Sequence, residues 1–308
     1  MSLPGDSGGA IMCIMTLLPV TAQDANQTVL AFLQQQIPAA PPAYLRQLIR
    51  KGRLLLNQQT TSEAALLRPG DVLSLPDSHR LAELLQRSQQ EKIEVLLESP
   101  DFLVVYKPAG LAIHRGVGHE EDNLTARVAS WLKRRKQPFS ALPVHRLDAT
   151  TSGPVLFAKG RRAASILGGH FMAGQVEKHY LALVVGETGE DGELDTPVPA
   201  KGKLRAAATR FRRLAGNQHY SLLQLQLLSG RKHQIRRQLA DAGHPLVGDR
   251  RYGGPSLPNS QRLFLHCCYL SWPDPADGRR RTVTCPLPQD LQTLLAAAAI
   301  KPPNDSIW

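Results

Sequence analysis

Between residues 26 and 76 the apolar positions recur first at helical and then at strand spacing. The pattern predicts helices over residues 28–35 and 42–51. In the second, Tyr44, Leu45, Leu48 and Ile49 form one apolar stripe; Arg46, Gln47, Arg50 and Lys51 lie off it and Gly52 supplies a stop. Short strands and an Arg68-Pro69-Gly70-Asp71 turn follow, so a basic helix face stands beside a small sheet. Residues 78–92 are rich in Gln, Arg and Glu without a strong period and predict a helical or irregular linker. Beyond it, strands are predicted over 104–106, 155–157, 180–185 and 220–228, the last alternating at Tyr220, Leu222 and on through Leu225 and Leu227. Helices fit 124–135, 161–172 and 232–242. Strands that follow one another without regular helical crossovers predict an α+β fold, a mixed and largely antiparallel sheet with helices packed on it. The expected organisation is a disordered leader (1–25), a small α/β domain (26–77), a linker (78–92) and a large domain (93–308). No internal repeat is visible.

Composition narrows the class. A hydrophobic fraction of 42% with 20% charged residues is globular, and no apolar run approaches the roughly 20 residues of a membrane span. Residues 1–15 lack the basic start and long apolar core of a secretory signal, and the leader is read with a natural start at Met12 or Met15. Cys13, Cys267, Cys268 and Cys285 are too few and too uneven for a disulfide framework, and no C-x-x-C pair offers a zinc site. A cytoplasmic protein without structural metal is expected. The formal net charge of +11 points to a polyanionic partner. Its distribution sharpens this: residues 196–240 hold no Asp or Glu, but do hold Lys201, Lys203, Arg205, Arg210, Arg212, Arg213, Arg231, Lys232, Arg236 and Arg237. Such a run repels itself unless an anion neutralises it, which favours nucleic acid.

Four segments of the large domain combine polar residues with glycines in ways a plain core does not require: KPAGLAIH (107–114), HRLDATTSG (145–153), KHYLALVVG (178–186) and GRKHQIRRQLADAGHPLVGDRRYG (230–253). Singly, each reads as turn chemistry, a cap or a core tyrosine. Together, the Asp of HRLD, the Tyr of KHY and several Arg among apolar strand neighbours are what a desolvated site for an anionic, aromatic substrate needs. An Asp near guanidinium groups stays ionised and can act as nucleophile or base; an Arg fork can pair with it or bind phosphate; a Tyr can stack on a flipped base.

In this order the four segments resemble the RluA-type pseudouridine synthase family, and LFLHCCYLSWPDP with TCPLP resembles its closing segment. The resemblance covers roughly residues 91–289. YLRQLIRKGRLLLNQQ followed by LLRPGDVLSLP is similar to the RNA-binding domain named after ribosomal protein S-four, though Gln27-Thr28-Val29 stands where that family has Arg-Leu-Asp. What this implies is an enzyme that isomerises uridine to pseudouridine in large-subunit ribosomal RNA, as a monomer without cofactor or metal. Asp148 matches the catalytic aspartate, Tyr180 the tyrosine that stacks on the base, and Arg236 the arginine that pairs with the aspartate. Arg146 matches the arginine that enters the space of the flipped uridine. Leu147 and Ile235 would line the pocket and Lys107 and His114 would shape its wall, with a purely structural role equally open for these four, and Arg231 and Lys232 would contact phosphate. In the small domain Arg46, Arg50, Lys51 and Arg53 would meet RNA. Pro154 and Gln238 depart from the family pattern and imply a local shift of strand or helix. The same chemistry on transfer RNA and a non-catalytic ribosome-assembly factor are the competing readings. A paired-carboxylate glycosidase finds no second carboxylate beside Asp148 in the HRLD segment, the others being Asp241 and Asp249 far along the chain, and Ser152 has no G-x-S-x-G elbow around it.

Overall fold

Thr28 begins the first helix by lending its hydroxyl to the Ala31 amide at 3.2 Å. Helix α1 (Val29–Gln36) then buries Val29, Phe32 and Leu33 on one side. Helix α2 (Pro42–Arg50) opens with proline at its first position, buries Leu45, Leu48 and Ile49, and ends before Gly52 at φ 61°. Both pack on an antiparallel sheet of β1 (Thr16–Pro19), β2 (Leu55–Leu56), β3 (Gln59–Thr60) and β4 (Val72–Leu75), in the order β1-β4-β2-β3. The computed structural model describes residues 16–91, 93–116, 122–200, 202–258 and 260–301, so the expected start positions Met12 and Met15 and most of the expected leader lie outside the described residues. The chain divides into two units, Met1–Lys92 and Ile93–Trp308.

One segment of the first unit differs from the sequence expectation, and another takes the helical of its two expected forms. Residues 16–19, expected in a disordered leader, are a strand whose Thr16, Leu17, Leu18 and Pro19 pair with Leu75, Ser74, Leu73 and Val72, covering an edge of β4. The expected linker is helix α3 (His79–Glu91). Leu81, Leu84 and Leu85 stand at helical spacing and pack into the same core, with Leu81 buried, and the Ala39 amide donates to Ser88 Oγ at 3.1 Å.

The second unit holds two antiparallel sheets. One runs β10-β13-β14-β9-β15-β16, built from β9 (Glu177–Val185), β10 (Asp191–Leu194), β13 (Thr209–Gly216), β14 (Tyr220–Leu227), β15 (Leu265–Pro273) and β16 (Arg280–Thr284). The other runs β5-β6-β8-β7, from β5 (Glu94–Glu98), β6 (Phe102–Lys107), β7 (Ala141–Pro143) and β8 (Gly153–Lys159). A short hairpin of β11 (Val198–Ala200) and β12 (Lys203–Arg205) stands apart. The fold is α+β. Helices α4 (Leu124–Arg134), α5 (Arg161–Met172), α6 (Gln234–Asp241) and α7 (Gln289–Ala297) complete it.

The central strands are buried on both faces. Tyr180, Ala182 and Val184 of β9 and Leu223 and Leu225 of β14 point into one core, while Leu181, Leu183 and Leu222 point into another closed by Leu291, Leu294 and Leu295 of α7. The sheets join where Ser152 meets His266 in a parallel bridge and the Cys267 amide donates to the Ser152 carbonyl at 2.8 Å. Gly153 is required there, since at φ 134° a Cβ would strike the Cys267 backbone.

Candidate active site

The HRLD loop connects β7 to β8 and is fixed from below by hydrogen bonds rather than by packing alone. Thr151 N donates to Asp148 O at 3.0 Å, closing a turn, and Gly110 N donates to Ala149 O at 2.8 Å. Lys107 is fully buried, and its ammonium donates to the carbonyls of Pro108, Leu111 and Ala149 at 2.9, 2.8 and 3.0 Å. Burial, with Arg262 nearby, pushes its pKa down to about 7. Lys107 therefore fastens the residue after Asp148 instead of shaping a pocket wall. His114 is exposed, and neither residue lines the cavity beside the loop.

That cavity has a volume of about 590 Å³. Asp148, Arg146, Leu147 and Tyr180 line it from the loop and β9, and Arg231, Lys232, Ile235 and Arg236 from the segment that follows β14. Leu147 and Ile235 are buried, while Arg146, Arg231 and Lys232 are exposed. Tyr180 is nearly enclosed, and burial, reinforced by Cys267 and Asp148, raises its hydroxyl well above the ordinary range, so the phenol is neutral.

Arg236 corrects one expectation. Its partner is Asp249, not Asp148: Nε and Nη2 each donate to the Asp249 carboxylate at 2.7 Å, with both side chains buried. The fork is satisfied by a carboxylate in the turn after Val247-Gly248, which leaves Asp148 free of that bond. Burial works against the Arg236 charge, but the bond to Asp249 prevails and raises its pKa, with Asp148 adding to the same effect from a longer range.

His233 was absent from the candidate residues and is placed next to Asp148, with Nε2 3.7 Å from Oδ1. Its backbone is left-handed at φ 54°, immediately before α6, and its Nδ1 lies 2.9 Å from the Tyr252 hydroxyl. A non-glycine residue in that conformation at a helix start is a local cost that a site can require. Burial lowers its pKa, although Asp148 acts the other way. The sequence signal was the histidine inside G-R-K-H-Q-I-R. The Tyr252 ring in turn lies under the guanidinium groups of Arg236, Arg237 and Arg251, at 5.2, 5.4 and 5.9 Å.

The two departures from the family pattern are accommodated in place. Gln238 is buried; Thr209 Oγ1 donates to its Oε1 at 2.8 Å, and its Nε2 reaches the carbonyls of Leu194, Thr196 and Ala207 at 3.0–3.1 Å. Pro154 lies in β8 opposite Tyr106, past the three residues where β7 pairs with β8. The basic run is less bare than the sequence suggests, because Arg210 and Arg213 meet Glu193 and Glu187 at 3.0 Å. In the first unit Arg46 and Arg50 share Glu63 at 3.4 and 3.0 Å, while Lys51 and Arg53 are exposed. No group of three His, Cys, Asp or Glu side chains able to hold a metal ion occurs among the described residues. No described helix is long and apolar enough to cross a membrane.

The chain was compared with known proteins. A family model described as RNA pseudouridylate synthase matches residues 101–241. The ribosomal large subunit pseudouridine synthase C of Yersinia pestis is 30% identical over 92% of this chain and 96% of its own length. The ribosomal large subunit pseudouridine synthase D of Pseudomonas aeruginosa is 30% identical over 80% of this chain and 84% of its own. Among solved structures, human RNA pseudouridylate synthase domain containing 1 superimposes with a TM-score of 0.56 at 26% identity, covering 71% of this chain and 92% of that one. Human RNA pseudouridylate synthase domain containing 4 gives a TM-score of 0.60 at 23% identity over 73% and 98%, which supports the fold.

Proposed function

The chain belongs to the RNA pseudouridylate synthase family, and from that premise we propose that it isomerises uridine in large-subunit ribosomal RNA with Asp148 as the reacting carboxylate. The observation that carries the assignment of the residue is the fixed HRLD turn, which sets a half-buried carboxylate into the cavity with Tyr180 and Arg236 lining the same space. The substrate class rests on the relatives, whose names specify the large ribosomal subunit.

The chemistry follows from what each group can do. A uridine inside a helix presents no reachable glycosidic bond, so the nucleotide is extruded, at a cost of a few kcal/mol that phosphate contacts offset. Arg231 and Lys232, exposed at the cavity, are assigned those contacts, and Arg146, exposed beside them, the gap left in the stack. Asp148 begins cleavage of the carbon–nitrogen bond. The freed uracil turns within the cavity and re-bonds through carbon five, which loses its proton. Tyr180 enters as a neutral phenol. Its ring offers the stacking face, and its hydroxyl can accept that proton only while passing its own to water; nitrogen one, freed from the ribose, takes a proton from water in turn. Arg236, locked by Asp249, keeps a fixed positive charge near the reacting carboxylate. The first unit, with Lys51 and Arg53 exposed after α2, is assigned to RNA binding.

Tritium release from RNA labelled at uracil carbon five tests both parts of the proposal. Release from large-subunit ribosomal RNA that is abolished in Asp148→Asn is expected. Release from transfer RNA alone would overturn the substrate, and undiminished release by Asp148→Asn would remove the aspartate from the mechanism.

A further inference from the structure

The chemistry above uses Asp148, Tyr180 and Arg236 but gives no role to another set of cavity-lining groups: His145, Phe171 and Lys178. The His145 ring is pinned, because its Nε2 accepts from the Leu156 amide at 2.9 Å, and burial pushes its pKa down to about 3, so it is neutral. Phe171, near the end of α5, stacks on it with centroids 5.1 Å apart and planes 20° apart. Lys178 stands on β9 two residues before Tyr180 and therefore on the same face of the sheet. Its ammonium lies 5.7 Å from the Phe171 ring centroid, close to the outer limit of a useful cation–π contact. No acidic group or hydrogen-bond acceptor holds that ammonium among the described residues, and burial lowers its pKa. Gly230 keeps one side of it clear, since a Cβ there would stand in van der Waals contact with Nζ at 3.6 Å. Met172 and Leu228 line the cavity too, and they are 88% and 43% exposed.

A desolvated cation without a counter-ion needs an anion. A fixed ring stack beside uncovered apolar side chains needs a flat apolar partner. One nucleotide supplies both, and aromatic stacking joined to a nearby cation is how single-stranded nucleic acid is held. We propose that His145, Phe171 and Lys178 form a second nucleotide subsite next to the uridine on Tyr180. It holds a neighbouring nucleotide of the same strand, with the base stacked at Phe171 and Met172 and the phosphate on Lys178. The proposal rests on the reading of the chain as an RNA enzyme and adds a contact outside the reacting groups.

The test uses the full chain and a fluorescein-labelled oligouridylate of about nine nucleotides, with Kd measured by anisotropy across a salt series. Each phosphate contact on a single strand contributes about 0.7 to the slope of log Kd against log salt. Lys178→Gln is expected to flatten the slope by about that amount, and Lys178→Arg to restore it. Phe171→Leu is expected to weaken binding about ten-fold with the slope unchanged. A Lys178→Gln protein with the wild-type unfolding midpoint and the wild-type slope overturns the subsite. Should that variant fail to fold, Lys178→Met, which keeps a stem against Phe171, carries the same comparison. Tritium release is measured in parallel. Absent release with a slope effect refutes the synthase reading alone, and release without a slope effect refutes the subsite alone.

Discussion

Removing the Asp249 carboxylate is expected to be the most damaging single change near the site, and the size of the effect follows from burial. Asp249 is 1% exposed and the Arg236 side chain 9%, and the two share hydrogen bonds of 2.7 Å at both guanidinium nitrogens. Asp249→Ala strands a buried positive charge and two unmet donors. Breaking a buried pair in this way costs about 3 to 5 kcal/mol, a large part of the 5 to 15 kcal/mol that holds an ordinary domain together. Taking both charges out together, as in Asp249→Leu with Arg236→Met, removes the desolvation penalty along with the attraction and is expected to cost far less than the single change. Urea denaturation followed by tryptophan fluorescence is suited to the measurement, because Trp131 and Trp272 fall in the second unit and residues 1–92 hold no tryptophan. Asp249→Asn, which preserves shape but aims an amide at the fork, is expected to lose turnover even below its unfolding midpoint, since Arg236 is no longer held. A loss below about 1 kcal/mol for Asp249→Ala, or a double variant as unstable as the single one, would refute the reasoning.

Other consequences can be checked in the same way. His266 is fully buried between Ser152 and the Cys285 carbonyl, and burial, opposed by that carbonyl, lowers its pKa from 6.5 to about 4. The unfolded chain therefore binds a proton that the folded one refuses between those values. Stability should fall as pH drops from 6.5 towards 4, by up to about 1.4 kcal/mol per pH unit from this group, and denaturation at pH 7, 6 and 5 should show a shallower decline in His266→Gln. Lys107→Met leaves three carbonyls without their donor and is expected to cost about 1 to 3 kcal/mol and to lower kcat by loosening the residue after Asp148. His114→Ala, altering an exposed residue away from the cavity, should leave kcat/KM at the wild-type value in a tritium-release assay. Gly254→Ala would drive a Cβ into the Leu246 carbonyl and should lower the thermal midpoint by at least about 4 °C.

The sequence spoke most clearly where one physical rule acted alone. Strand β14 was legible because its apolar positions alternate, and α2 because its stripe and its glycine stop agree. Helix α3 was legible only as one of two readings, because its interior-facing residues are three leucines in a stretch otherwise crowded with Gln, Arg and Glu, so composition masked the spacing. Strand β1 is short and mostly exposed, and pairing with β4 rather than its own side chains makes it a strand. At Lys107 the motif resemblance left a pocket-wall role and a structural role both open, because a motif records that a residue is present and not which way it points. The Arg236 partner was missed for a related reason. Three aspartates of equal charge, Asp148, Asp241 and Asp249, stood in the motifs, and only the fold decides which carboxylate meets the fork.

What assembles the site is strand order rather than proximity along the chain. The Ser152–His266 bridge ties the end of the HRLD loop to β15. Strand β15 pairs with β9, where Cys267 stands opposite Tyr180, and β9 pairs on its other side with β14, where Leu225 stands opposite the same tyrosine. Strand β14 then runs into Gly230 and the turn that starts α6. Three neighbouring strands therefore deliver the aspartate loop, the tyrosine and the arginine helix to one cavity, with Tyr180 in the middle strand. A shift of β9 by one residue would turn Tyr180 and Lys178 into the core closed by α7 and bring Leu181 to the cavity. The register is held against such a slip because both faces of β9 are buried, so the same packing that stabilises the sheet fixes the position of the stacking ring.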